Sequence, residues 1–499
     1  MMSLKALGAR LLARWVHQKT RQWAENPVEA QRRTFDQLIA RGRGTGFGAE
    51  HGFSEIKGYS DFSSRVPVRD YESLKPYVER IFNGEDDVLW PGKPLYFAKT
   101  SGTTSGAKYI PITRESIKEQ VKASRNAILN YIYKTGNVRF VDGKMIFLQG
   151  SPILDEKNGI KVGRLSGISA HYVPGYLQKN RLPSWETNCI EDWETKVDRV
   201  VEETISEDMT VIAGIPSWVQ MYFEKLKEIE KKPISIIFPN LQLFIYGGVN
   251  YEPYRSKFES LIGRKVDSIE LFPASEGFFA YQDQWEDRGL LLLLEAGIFY
   301  EFIPADTFFE ESPRRLTIGE VELGVNYAMV ISTNAGLWGY NLGDTVQFTS
   351  LKPYRVIVTG RIKHFISAFG EHVIAKEVEY AMEEAIRQSG ARVNEFTVAP
   401  QIQTTEGELP YHEWFVEFEK APDNMAEFTS VLDRSLQDQN SYYFDLIEGK
   451  ILQRLRLTQI QKGGFQQYMK SIGKLGGQNK VKRLSNDRDL AEALYAYAL

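Results

Sequence analysis

The chain reads as an α/β protein built from more than one domain. Helical and strand-like segments alternate along it, the pattern of sheets covered by helices. Its 499 residues exceed what one core commonly organises. Several short apolar runs stop at glycines or small polar residues, as strands of a buried parallel sheet do.

Residues 4–21 space Leu4, Leu7, Leu11, Leu12, Trp15 and Val16 among Lys5, Arg10, Arg14, Lys19 and Arg21. Such a basic amphipathic helix suits a transit peptide or a membrane-surface anchor, but an ordinary first helix docking its apolar side on the body is the preferred reading. Asn26-Pro27 starts a second helix, with Phe35, Leu38 and Ile39 on its apolar side. Gly44-Thr45-Gly46-Phe47-Gly48-Ala49 then matches a relaxed dinucleotide fingerprint by letter. That fingerprint must follow a strand and open a helix. Here it follows a helix, so it reads as a helix stop and turn.

The most informative stretch comes next. Two apolar runs, Leu95-Tyr96-Phe97-Ala98 and one beginning at Tyr109-Ile110, bracket Thr100-Ser101-Gly102-Thr103-Thr104-Ser105-Gly106-Ala107-Lys108. The layout is strand, small-residue loop, strand. Glycines let backbone bend around an anion, N–H groups and hydroxyls donate to phosphate oxygens, and Lys108 adds a full positive charge. The loop is not the common kinase type, which needs four residues between its glycines and then Lys-Ser/Thr. Three separate Gly102 from Gly106, and Tyr109 follows Lys108.

Beyond it, residues 114–133 form an amphipathic helix with Ile117, Val121, Ala127, Ile128, Tyr131 and Ile132 on one face. Val211-Ile212-Ala213-Gly214 and Leu243-Phe244-Ile245-Tyr246 read as buried parallel strands, the second delivering the chain to Gly247-Gly248. Ile269-Glu270-Leu271-Phe272 ends at Pro273-Ala274-Ser275-Glu276-Gly277. Ligands gather at the carboxyl ends of such strands, so Gly247, Gly248 and Glu276 are expected near the loop. Gly343-Asp344 places a carboxylate just before the strand Thr345-Val346-Gln347-Phe348; its two oxygens can accept from both hydroxyls of a ribose. Gly360-Arg361 follows the strand Arg355-Val356-Ile357-Val358, and Lys480 lies in a glycine-flanked loop. Glu413-Trp414-Phe415-Val416-Glu417-Phe418 alternates as a half-buried strand.

Composition removes several classes. The chain is 42% hydrophobic and 25% charged, as globular proteins are. A net charge of -4, from 61 basic and 65 acidic residues, gives no global field for nucleic acid. One cysteine, Cys189, allows neither an intrachain disulfide nor a cysteine-cluster metal site, and points to the cytoplasm. No apolar run approaches the roughly 18 residues of a membrane span. A monomer is expected.

In their order, Thr100–Lys108, Ala274-Ser275-Glu276-Gly277, Gly343-Asp344 and Gly360-Arg361 with Gly370 and Glu377 beyond resemble the adenylate-forming enzymes, which include acyl-CoA synthetases and beetle luciferases. Within them the chain is most similar to the auxin-responsive promoter family of acyl acid amido synthetases, over roughly residues 20–490. Shared features include Asn26-Pro27, Thr45-Gly46-Phe47-Gly48 and Val66-Pro67-Val68-Arg69-Asp70-Tyr71. The CoA-forming relatives carry Asp at the hinge and Lys three residues on, where this chain has His364 and Ser367. Gln478-Asn479-Lys480 resembles the amido synthetase ending, although Lys482 replaces its usual proline. Lys480 ranks ahead of Lys482 and Lys474 as the C-terminal lysine.

The resemblance implies a luciferase-like α/β fold. Residues 1–360 would form a large domain of helix-flanked sheets plus a small β-barrel, and 361–499 a mobile cap turning about a hinge near 360–364. It implies ATP and Mg²⁺ as cofactors, with a small-molecule carboxylic acid and an amino acid as partners. The acid would attack the α-phosphate, giving an acyl-adenylate and pyrophosphate, and an amine would then expel AMP. Ser101, Gly102, Thr103, Thr104, Ser105, Gly106 and Lys108 would hold the β- and γ-phosphates, Ser275 would be a further nucleotide-binding residue, and Glu276 would help bind Mg²⁺. Gly247 and Gly248 would lie against adenine, Asp344 would take the ribose hydroxyls, and Arg361 would contact ribose or phosphate. Lys480 would meet the α-phosphate. The acyl pocket would have the 114–133 helix as one wall. An acyl-CoA ligase of the same superfamily, or a non-catalytic nucleotide-binding protein, are the competing readings.

Overall fold

The computed structural model describes residues 3–101, 107–173, 179–248, 251–362, 371, 373–402, 404, 408–449, 451–476, 479–485 and 487–499. They form two compact units, Met1–Gly248 with Val266–Ile357, and Val249–Lys265 with Val358–Leu499.

In the first unit the described strands build an 11-stranded sheet and a 4-stranded sheet. Half of the larger sheet is parallel: Arg181–Leu182, Lys144–Phe147, Met209–Ala213, Leu243–Gly247 and Asp267–Ala274 lie side by side in that order. Met209, Val211, Ile212 and Leu243 are fully buried, as a strand covered on both faces requires. From Asp267–Ala274 onward the neighbours turn antiparallel, beginning with Gly277–Gln282 and Leu290–Leu292. The antiparallel strands expected as a barrel thus continue the same ladder of hydrogen bonds. The α/β class is borne out.

The Arg114–Thr135 helix covers this sheet, as its apolar periodicity predicted. It starts at Thr113, whose Oγ1 accepts from the Ser116 N–H at 3.1 Å, and ends at Gly136 with φ +68°. The second predicted helix spans Pro27–Gly42 and buries Phe35, Leu38 and Ile39. After it, Thr45 caps a further short helix, Gly46–Glu50, so the glycine-rich run there is a stop, a turn and a new start. A β-carbon on Gly48 would lie 2.0 Å from the Gly42 carbonyl oxygen, which explains the glycine without any cofactor.

The first helix corrects an expectation. Leu4–Ala24 is helical, but it docks through Ala6, Ala13 and Val16, while Leu4, Leu7, Leu11, Leu12 and Trp15 are exposed. Ala6 and Ala13 join a cluster with Ala123 and Ala127 of the Arg114–Thr135 helix. Small residues on both sides allow close helix contact, so the docking face is the small-residue face and not the leucine stripe.

The second unit holds a 3-stranded sheet ordered Arg392–Gln401, Tyr411–Lys420, Arg456–Ile460. Tyr411–Lys420 is its central strand, and Tyr411 through Phe418 are all buried, so the half-buried reading of this strand fails. Its acids are satisfied internally. Glu413 accepts from Arg488 Nη2 at 2.9 Å and from the Tyr495 hydroxyl at 2.7 Å, and Glu417 accepts from the Gly463 N–H at 2.9 Å. Alternating acids therefore mark internal partners here, not solvent.

Candidate active site

The two strands that flank the loop dominating the sequence form an antiparallel pair. Tyr96–Ser101 and Ala107–Ile112 pair antiparallel, with Thr100 opposite Lys108 and Ser101 opposite Ala107. This register closes the ends of the intervening segment on each other. Gly102, Thr103, Thr104, Ser105 and Gly106 themselves lie outside the described residues. Lys108 Nζ stands 5.7 Å from the centre of the Tyr71 ring, whose hydroxyl accepts from the Tyr109 N–H at 2.8 Å. One side chain thus ties down the strand and offers a π face to the lysine. Burial raises the pKa of this phenol, so it stays neutral.

A second group stands where parallel strands end. Gly247 lies opposite Leu271, and a β-carbon there would approach the Leu271 carbonyl oxygen to 2.5 Å. Gly248 follows at φ +78°. Three residues beyond Leu271 the neighbouring strand reverses: Ala274 pairs with Gly277, leaving Ser275 and Glu276 as a two-residue turn. Ser275 is buried and Glu276 half-buried.

Glu276 also lines a pocket with Ser116, Glu119 and Gln120 of the Arg114–Thr135 helix, together with Phe278, Ile298 and Asn334. The Thr113 hydroxyl donates to the Asn334 carbonyl at 2.8 Å, so the helix cap and one pocket wall are a single joint. Gln120 is 7% exposed, and its Nε2 has no hydrogen-bond partner among the described residues. Sequence reasoning missed Gln120, Ser116 and Asn334. A signal existed for Gln120, which sits between Ile117 and Val121 on the apolar side of its helix.

Asp344 does not precede a strand, as expected, but lies within one, Tyr340–Leu351. Ala328 pairs with Thr345 and Val330 with Asn341, so Leu342, Gly343 and Asp344 together oppose Met329. Gly343 holds φ +87°, and its N–H donates to Asn341 Oδ1 at 2.9 Å. The glycine before the carboxylate is the pivot of a β-bulge, a device that re-aims a side chain out of the alternating pleat. Likewise Gly360 and Arg361 are the last residues of the strand Tyr354–Arg361 and do not follow it.

In the second unit, Arg361 is exposed at its strand's end. His364, Ser367 and Gly370 lie outside the described residues. Glu377 is a helix cap: its carboxylate accepts from the Ile374 N–H at 3.0 Å and from Asn440 Nδ2 at 3.1 Å, and burial raises its pKa. Lys480 is exposed. Lys482 Nζ lies 3.6 Å from Asp487, and its carbonyl accepts from the Thr397 hydroxyl at 2.7 Å. Next to it, the N–H of Val398 in the edge strand donates to the Arg483 carbonyl at 3.0 Å, the Ser485 N–H donates to the Val398 carbonyl at 3.2 Å, and Leu484 bridges Val398. Lys480 therefore leads directly into a segment zipped to the sheet.

Among the described residues no group of three or more His, Cys, Asp or Glu could hold a metal ion. No helix among them is long and apolar enough to cross a membrane.

Solved structures share this architecture. GH3.15 acyl acid amido synthetase superposes with a TM-score of 0.79 at 15% identity, over 98% of this chain and 96% of that one. 2-Hydroxyisobutyryl-CoA ligase in its postadenylation state gives 0.58 at 14% identity, over 98% and 90%. The fold is that of the adenylate-forming ligases. Models of the GH3 family N-terminal, central and C-terminal domains match residues 16–174, 291–361 and 376–489, and the chain belongs to the GH3 family. Curated relatives include jasmonoyl–L-amino acid synthetase JAR4 of Nicotiana attenuata, 21% identical over 89% of this chain and 88% of the relative. Indole-3-acetic acid-amido synthetase GH3.3 of Arabidopsis thaliana is 22% identical over 96% and 92%. The family resemblance, the ligase class and the fold read from the sequence are borne out.

Proposed function

We propose that this chain is an ATP-dependent acyl acid amido synthetase that joins a small carboxylic acid to an amino acid. The supporting observation is the placement of Glu276 on a turn at the carboxyl end of a parallel strand, lining a small pocket together with residues of the Arg114–Thr135 helix. An acid seated beside that turn would have the Glu276 carboxylate, a ligand for a cation, on one side and the helix face on the other.

The chemistry has two steps. A carboxylate oxygen of the acid attacks the α-phosphorus of ATP, and the bond to the β-phosphate oxygen breaks, releasing pyrophosphate. The amine nitrogen then attacks the acyl carbon, loses a proton and expels AMP. The first transition state gathers negative charge on phosphate oxygens, so fixed donors and cations carry it. Ser101–Gly106 and Lys108 hold the β- and γ-phosphates, with Tyr71 fixing the hairpin beneath them. Gly247 and Gly248 lie against adenine, Asp344 receives the ribose hydroxyls, and Arg361 contacts ribose or phosphate. Lys480 meets the α-phosphate. It is preferred to Lys482 because Gln478-Asn479-Lys480 resembles the amido synthetase ending.

Magnesium keeps most of its ligands from water and phosphate and needs only one or two carboxylates. Glu276 can supply one of them, with Glu119 lining the same pocket. Glu276 would help hold the ion, which would offset the negative charge that builds on the phosphates. The working division is a large domain, 1–360, and a cap, 361–499, hinged near 360–364.

The test is pyrophosphate release from ATP and Mg²⁺ across aryl, indole and aliphatic acids, each run with mixed amino acids, with CoA, and alone. Acid-dependent release raised by amino acids is expected; release raised only by CoA refutes the amide step. Lys480→Ala should lower adenylation by at least about 100-fold with ATP affinity kept. Unchanged adenylation would hand the role to Lys482.

A further inference from the structure

We infer that the outward face of the Leu4–Ala24 helix is a docking surface for an anionic phospholipid membrane. The helix is held to the first unit by its opposite side. Ala6, Ala13 and Val16 are buried in one apolar cluster with Ala127, Tyr131 and Ile132, and the His17 ring stacks on Tyr133 at 3.8 Å. At 100° per residue, Leu4, Leu7, Leu11 and Trp15 fall in a single stripe pointing away from that contact. They are 89%, 46%, 65% and 53% exposed, with Leu12 at the border at 38%. A helix needing only to close a core would not carry its largest apolar residues on the solvent side.

Charge selects the occupant. Around the helix, Lys5 and Lys19 border the stripe on one side and Arg10, Arg14 and Arg21 on the other, all five exposed. No acidic residue occurs from Leu4 to Ala24. Nearby acids sit at the two ends or on the docked side: Asp142 accepts from the Ser3 hydroxyl, Glu25 pairs with Arg21, and Asp283, near His17, is neutralised by Arg355 at 2.7 Å. Lys5, Arg10 and Arg14 form no ion pair among the described residues. Two copies of this helix face to face would bring like charges together. An anionic bilayer offers acyl chains for the stripe and a negative headgroup layer at the height of its flanks. Each cation held at such a surface strengthens partitioning by roughly fivefold. The stripe is about 16 Å long, enough for the helix to lie in the interface and too short to span it. The inference does not depend on which acid the protein activates.

The experiment sediments the full chain with vesicles of phosphatidylcholine alone, or with about 30% phosphatidylserine, at low salt and at about 0.5 M salt. At least about tenfold more protein should follow the anionic vesicles at low salt, and high salt should release it. Leu11→Glu/Trp15→Glu should abolish binding, and Arg10→Glu/Arg14→Glu should lower it by at least about tenfold, while both keep the parent's thermal transition and pyrophosphate release. Leu11→Ser/Trp15→Ser repeats the first arm without added charge. Parent protein that ignores anionic vesicles, or serine and glutamate pairs that bind as the parent does, overturn the inference. So does self-association seen in sedimentation velocity, broken by the same pairs, without vesicle binding; that would give the stripe to a second copy.

Discussion

Gly343→Ala tests the bulge that aims Asp344. Gly343 has φ +87°, and an added β-carbon would meet nothing within 4 Å, so crowding contributes nothing and only backbone conformation is at stake. An L-residue in the left-handed region costs about 1–2 kcal/mol. Replacing glycine also narrows the unfolded ensemble, which returns roughly 0.4–1 kcal/mol. The net loss should be about 1 kcal/mol. Gly44 is the control: it has the same open space and no left-handed φ, so Gly44→Ala should be neutral or slightly stabilising. Urea denaturation followed by tryptophan fluorescence measures both. The pairs Ala328–Thr345 and Val330–Asn341 pin the bulge from either side, so ATP affinity should survive Gly343→Ala within about threefold. Asp344→Ala should instead weaken ATP by about tenfold or more, the worth of charged hydrogen bonds. Equal stability of Gly343→Ala and Gly44→Ala, or equal ATP loss in Gly343→Ala and Asp344→Ala, would refute the account.

Two further outcomes are expected. Gln120→Leu removes a buried amide nitrogen without a partner, so stability should hold or rise by about 1 kcal/mol, while the ranking of acids in the pyrophosphate assay shifts toward apolar ones; an unchanged ranking would take Gln120 out of the acid site. Lys196 is 3% exposed and donates to the Asn188 carbonyl at 2.6 Å, and burial lowers its pKa to about 8. Unfolded, it titrates near 10.4, so between these values the unfolded state binds more protons and stability rises with pH, by on the order of 1 kcal/mol per unit from this group. Denaturation across pH 7–10 should show that slope in the parent and its loss in Lys196→Met, and an identical slope in both would refute it.

Much of this architecture was legible because it follows from local rules. Apolar runs of fixed length gave the parallel strands, and the bracketing of Ser101–Lys108 gave the hairpin. Long-range partners were not legible. The acids of Glu413–Phe418 looked solvated until Arg488 and Tyr495, far along the chain, were seen to satisfy them. The leucine stripe looked like a docking face because hydropathy ranks leucine above alanine, whereas close helix contact favours the smaller residue. At Asp344 the residues were right but the geometry was not, since a bulge depends on two registers and a single strand's sequence holds only one. The pocket around Gln120 gathers side chains from positions 116 to 334, a convergence that spacing does not encode.

The buried Arg483 acts as a detent. Its guanidinium meets Glu395 at 2.9 Å, Glu379 at 3.4 Å and the Tyr254 hydroxyl at 2.6 Å, and it also donates to the Phe396 carbonyl. A ladder of backbone bonds alone tolerates sliding by one notch; a fork of donors locked among four partners does not. The chain between Lys480 and Arg483 thus works as a ruler of fixed length, and one residue added or removed there would shift the ammonium by about 3.3 Å, roughly a full hydrogen bond. Length changes on the far side of Lys480 leave that ruler itself intact.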